Sequence, residues 1–283
     1  MPGEQKGIQD LYFPNRSYRE NTHFPSIMAA VENLDFEQAV SEFDKLIPSE
    51  RKSYIIMSSV LKNFLEPRKI NFNLLFQTGA ELYKNIGELG FYFQAILDKN
   101  SADNEDVRKY ADLLMQLSIA GVMKVQEESN GYPEKPINGM VWLDGACIDV
   151  WNDFLANYFD IIRDYKNYYN SRLIQSRIVF SIKRHYSYEI ARSTYNMGLA
   201  NSKIGEMETA LKCYQAVVDD FQEILDQPLE YFAENMEAVH ELYYLGEALE
   251  KYIDLEGHSD ETLRNQYRKV KELENMIKAK MNI

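Results

Sequence analysis

Cysteine is almost absent from this chain, with two in 283 residues. Cys147 and Cys213 form no CxxC pair and no disulfide framework, so both thiols are expected reduced, in a reducing compartment. Histidine is nearly as scarce: His23, His185, His240 and His258 are the only four. There is no HExxH metal pair, no GxGxxG or GxxxxGK[ST] phosphate loop and no GxSxG nucleophile elbow. No apolar run approaches the roughly 18 residues of a membrane span. The opening MPGEQKGIQDLYFPNRSYREN has no charged-then-apolar leader pattern. The chain therefore reads as cytoplasmic and free of the membrane. Positive charge is in deficit too, with 31 Lys and Arg against 44 Asp and Glu, for a net charge of −13. Such a charge repels phosphate backbones and argues against nucleic acid as the main partner.

Aromatic residues are abundant, with 20 Tyr and 14 Phe. Disordered chains are poor in these residues, so most of this one should fold. Its apolar residues recur at helical spacing. Phe36, Ala39, Val40, Phe43 and Leu46 make one stripe, ended by Pro48. Ser49 is placed to cap a helix running to about Leu65. Phe72 to Ile86 carries another stripe, with a turn at Gly87 and Gly90. Ser101 or Asp103 is placed to cap a helix whose apolar face is Val107, Tyr110, Leu114, Leu117 and Gly121.

Residues 127–145 contain two prolines and three glycines and interrupt the pattern. A long helix is expected from about Ala146 to Tyr169, then helices near 172–184 and 187–204. A turn at Gly205 leads to a helix ending about Leu225. Pro228 starts a long helix to about Leu255, and Ser259 caps the last. No convincing strand is present. The expected fold is all-α with ten or eleven helices. The expected organisation is an N-terminal arm at 1–25, a helical subdomain at 26–126, a linker at 127–145 and a second helical subdomain at 146–283.

The stretch Arg192–Phe221, RSTYNMGLANSKIGEMETALKCYQAVVDDF, is one helix–turn–helix unit. Met197 and Gly198 form a large-then-small pair. Gly205 supplies the turn. Ala210, twelve residues after Gly198, is followed by Tyr214 and Val217. In these positions the unit resembles a tetratricopeptide repeat. Thr194 and Asn201 depart from it, standing where that family usually has an aromatic or apolar residue. Leu242, Leu245 and Gly246 echo a first helix, and Leu263, Tyr267 and Val270 a second. Fainter echoes lie at Leu75, Gly79 and Leu82, and at Ala39, Phe43 and Leu46. The resemblance implies antiparallel hairpins stacked as a right-handed array.

Few residues suggest chemistry. Glu237 and His240 have the ExxH spacing of a carboxylate-bridged metal helix, but no second ExxH accompanies them. Asp149 and Asp153 read as a solvated helix face, and Cys147 as a small buried hydrophobe. Trp142 and Trp151 read as an anchor for the loop, or alternatively as a ligand lid. No cofactor or metal is expected. Basic residues, by contrast, gather between Arg163 and Arg192, interleaved with tyrosines. They are either a solvated face or a groove for an acidic peptide. Arg192, Asn196, Leu199 and Lys203 are spaced four, three and four apart, on one helix face. The tetratricopeptide resemblance implies that this face lines a groove, where Asn pairs with a peptide backbone and Arg and Lys hold carboxylates. Arg177 and Arg184, seven apart, extend it from the preceding helix. The expected role is a non-catalytic adaptor or scaffold that binds a partner protein or an extended, acidic peptide. The alternatives are a peptide-responsive regulator similar to tetratricopeptide sensors, and an enzyme with an unfamiliar helical site.

Overall fold

A computed structural model of the chain describes residues 24–45, 93, 96–130, 139–181, 187–256 and 260–281. Helices and the turns between them make up these residues, with no strand among them. Ten α-helices are bounded within them: α1 (Phe24–Glu32), α2 (Phe36–Asp44), α3 (Glu105–Asn130), α4 (Gly139–Ile161), α5 (Tyr165–Ser181), α6 (Ser187–Lys203), α7 (Met207–Phe221), α8 (Leu229–Glu234), α9 (Met236–Glu256) and α10 (Glu261–Met281). A 3₁₀ helix, Gln222–Asp226, follows α7. Residues 1–23 of the expected arm, the helices at about 49–65 and 72–86, and Arg184 lie outside the described residues, while Phe24 and Pro25 already belong to α1.

Side chains with short polar tips start several of these helices. Asp35 accepts a hydrogen bond from the Gln38 amide at 3.0 Å and caps α2. Asn104, rather than Ser101 or Asp103, caps α3 by accepting from Asp106 at 2.8 Å. Asp260 caps α10 by accepting from Thr262 and Leu263 at 2.8 and 3.2 Å. Each satisfies an amide that the first helical turn leaves without a carbonyl partner.

The chain divides into two compact units, Met1–Asp164 and Tyr165–Ile283. In the first, α3 packs on α4. The expected face Val107, Tyr110, Leu114 and Leu117 is buried. The Phe93 ring lies edge-on to Tyr158, with centroids 5.3 Å apart, and stacks on Tyr110 at 6.0 Å. Trp151, 1% exposed, donates its indole N–H to Ser118 Oγ of α3. Asp149 is buried, not the solvated residue its spacing suggested.

Within the linker expected at 127–145, α3 continues to Asn130 and α4 begins at Gly139, and residues 131–138 lie outside the described residues. Glycine inside a helix costs only about 1 kcal/mol and does not bar one. The helix expected to run from 146 to 169 is instead two, parted at Ile162–Asp164.

In the second unit α6 packs against α5, α7 and α9, and α9 against α6, α7 and α10. One cluster, Ala191, Tyr195, Ala210, Tyr214, Val217 and Ala248, joins α6, α7 and α9. Another joins α9 and α10 through Leu242, Leu245, Leu249, Leu263, Val270 and Ile277, with Phe232 of α8 fully enclosed in it. Both hairpins close on a glycine. A β-carbon at Gly198 would stand 2.5 Å from the Tyr214 ring, and one at Gly246 would stand 2.9 Å from Val270. Gly205 has φ of 88°, in the left-handed region, and ends α6. The Glu206 amide donates to Asn201 O at 2.9 Å and that of Gly205 to Ser202 O at 3.1 Å, a Schellman motif.

Candidate functional site

Arg192, Asn196, Leu199 and Lys203 lie on α6, and each is half-buried. Tyr195, at the edge of the same face, turns toward α9. Its hydroxyl donates to Glu247 Oε2 at 3.1 Å, and its ring lies 6.0 Å from that of Tyr244. One helical stretch earlier, the Tyr188 ring lies 5.2 Å from that of His240, and the Ser187 hydroxyl donates to Glu241. Residues low in α6 meet residues low in α9, and those further along meet those further along. The two helices therefore run parallel and side by side, and Tyr195 reaches across to Glu247, which has Tyr243 one turn before it on α9. Tyr243 is 49% exposed and Glu247 half-buried.

The far end of the α6 face turns the other way. Lys203 Nζ lies 5.3 Å from the centre of the Tyr165 ring and 5.2 Å from that of Tyr168, both on α5. The negative faces of the rings attract the ammonium, so Lys203 joins α6 to α5. Arg177 is exposed on α5, opposite a buried stripe of Tyr168, Ser171, Arg172 and Gln175. Arg172, counted by its charge among the surface cations, is instead buried and donates to Gln175 Oε1 at 2.7 Å. Asn201 is buried as well and donates to the Met197 carbonyl at 2.7 Å.

Burial and neighbouring acids set the electrostatics. Burial, followed by the charge and hydrogen bond of Glu247, raises the Tyr195 phenol above its ordinary value. Burial and the nearby Glu237 raise the Glu241 carboxyl. Burial pulls the Lys271 ammonium of α10 down, but its bond to Glu274 at 3.1 Å, with further acids around it, leaves it raised. Burial raises the Cys213 thiol, which keeps it protonated and unreactive.

Tyr195, Tyr243 and Glu247 did not emerge from the sequence as site residues. Their spacing along the chain is ordinary, and only the register between α6 and α9 unites them. Among the described residues no group of three or more His, Cys, Asp or Glu is placed to hold a metal ion. None of the described helices is long and apolar enough to cross a membrane. No family model, curated protein or solved structure matches the chain.

Proposed function

We propose that residues 187–281 form two tetratricopeptide units in a right-handed stack, and that the protein is a non-catalytic adaptor binding an extended segment of a partner protein. One observation carries this reading. Gly246 follows Gly198 by 48 residues, and 14 of these, Gln222–Asn235, lie between α7 and α9. Without those 14 the two crossing glycines stand 34 apart, the tetratricopeptide period. The neighbour order agrees: first helix α6 meets its own second helix α7 and the next first helix α9. Stacked in this way, first helices face one groove. On this reading Arg192 and Asn196 share its surface with Tyr243 and Glu247.

The two polar residues of α6 are suited to an extended chain. Asn196 donates and accepts, as a peptide group does, and Arg192 offers a planar fork to a carboxylate. The test is affinity purification of the tagged chain from its native cell, beside Arg192→Ala with Asn196→Ala. A stoichiometric partner lost from the double variant, with helix content unchanged, supports the groove. A partner retained undiminished by the folded variant removes it.

A further inference from the structure

The groove reading names a face, and the chemistry of that face narrows its occupant. The basic residues of the sequence point to an acidic partner, but α9 adds the opposite charge. Glu247 is half-buried between α6 and α10. Its only hydrogen-bond partner among the described residues is the Tyr195 phenol at 3.1 Å. No ion pair reaches it there. Lys271 of α10, whose charged form Glu247 helps to favour, is bonded to Glu274 at 3.1 Å. A carboxylate offers about four acceptor positions, and one neutral phenol occupies one of them. A half-buried carboxylate with so little compensation favours a cation brought by something else. The aromatic surface of Tyr243, 49% exposed and one turn before Glu247, favours the same group through its ring face. The net charge of −13 attracts cationic segments in addition.

Resting on the groove reading, we propose that the occupant is an extended protein segment with one acidic and one basic side chain. The acidic group faces Arg192 on α6, and the basic group faces Glu247 on α9. Spacing follows from the helices. Packed helices lie about 8–10 Å apart, and an extended chain advances about 3.3 Å per residue. The two charges therefore stand about three residues apart, with the backbone between them passing Asn196.

Selection from a phage-displayed library of random peptides, against the full chain, tests this. The expected result is enrichment of peptides with an acid and a base about three residues apart. Glu247→Gln keeps an acceptor for Tyr195 while removing the charge, and is expected to weaken the selected peptides tenfold or more. Replacing the peptide's basic residue by norleucine should abolish that difference. The charge exchange Arg192→Glu with Glu247→Arg should select the opposite order of charges. Peptides enriched for acid alone, unaffected by Glu247→Gln, would overturn this inference and leave the groove standing. Recovery of no peptide above background would overturn the groove reading, and this inference with it.

Discussion

The Tyr195 hydroxyl on α6 and the Glu247 carboxylate on α9 share a 3.1 Å hydrogen bond across two parallel helices. The bond is partly buried, so water competes with it only weakly. Removing the donor by Tyr195→Phe is expected to cost about 1 kcal/mol. A double-mutant cycle with Glu247→Ala, which removes the acceptor, followed by urea unfolding, measures how much of that belongs to the pair. A coupling indistinguishable from zero would mean the bond contributes nothing to joining α6 and α9.

Gly198 is expected to tolerate no side chain. Alanine there drives a methyl group into the Tyr214 ring, which is 1% exposed and has little room to yield. Overpacking of this kind costs about 1–3 kcal/mol. Tyr214→Leu in the Gly198→Ala background should recover part of the loss, because the smaller side chain makes room. If the two losses simply add in thermal unfolding, the close crossing is not what limits position 198.

Two helix ends differ only in the residue that carries the left-handed backbone. Gly205 has φ of 88° and Arg163 has φ of 57°. After α4 the Asp164 amide donates to Phe159 O at 2.8 Å and that of Arg163 to Asp160 O at 3.1 Å, the pattern seen around Gly205. An L side chain in this region costs about 1 kcal/mol. Gly205→Ala should therefore destabilise by about that amount, with no steric contribution, since nothing lies within 4 Å of a β-carbon there. Arg163→Gly should stabilise the fold by a similar amount. Opposite signs in denaturant unfolding are the expected pattern.

Alkaline pH should unfold the protein through its tyrosines. Burial raises the phenols of Tyr110, Tyr195 and Tyr214 above their ordinary 10.0. Burial likewise pushes Tyr158 up to about 12, against the lowering effect of Arg108. A raised phenol favours the neutral form in the fold. Its contribution is intact below pH 10 and is lost as pH rises through the folded-state values. Helix content should hold to about pH 10, then fall together with the rise in tyrosinate absorbance. Ionisation of these four near pH 10 with helices intact would contradict the burial described here.

These helix ends show what the sequence reveals and what it conceals. The turn at Gly205 is legible because glycine is the residue that adopts a left-handed backbone without cost. The equivalent turn at Arg163 is hidden, since an arginine there reads as one more charge in a basic run. The break between α8 and α9 is hidden for a related reason. Asn235 accepts from the Glu237 and Ala238 amides at 3.1 and 3.4 Å and starts α9. An asparagine in a continuous apolar pattern does not declare itself a cap. The close crossing at Gly198, Ala210 and Tyr214 was legible, because contact within one hairpin depends on local spacing. Of the proposed groove, only the α6 face was read from the sequence. Its α9 half depends on a register set 52 residues along the chain, from Tyr195 to Glu247.

Stacks of similar hairpins face a hazard while folding, since each unit offers its neighbours nearly the same surface. The 14 residues Gln222–Asn235 make the joint between α7 and α9 unlike the short turn at Gly205 between α6 and α7. Phe232, with none of its surface exposed, belongs to the cluster that α9 and α10 build, and its helix α8 packs on both. It works as a key cut for a single lock. A hairpin that docks out of order leaves that ring in water, which disfavours the misassembled stack before its remaining contacts form.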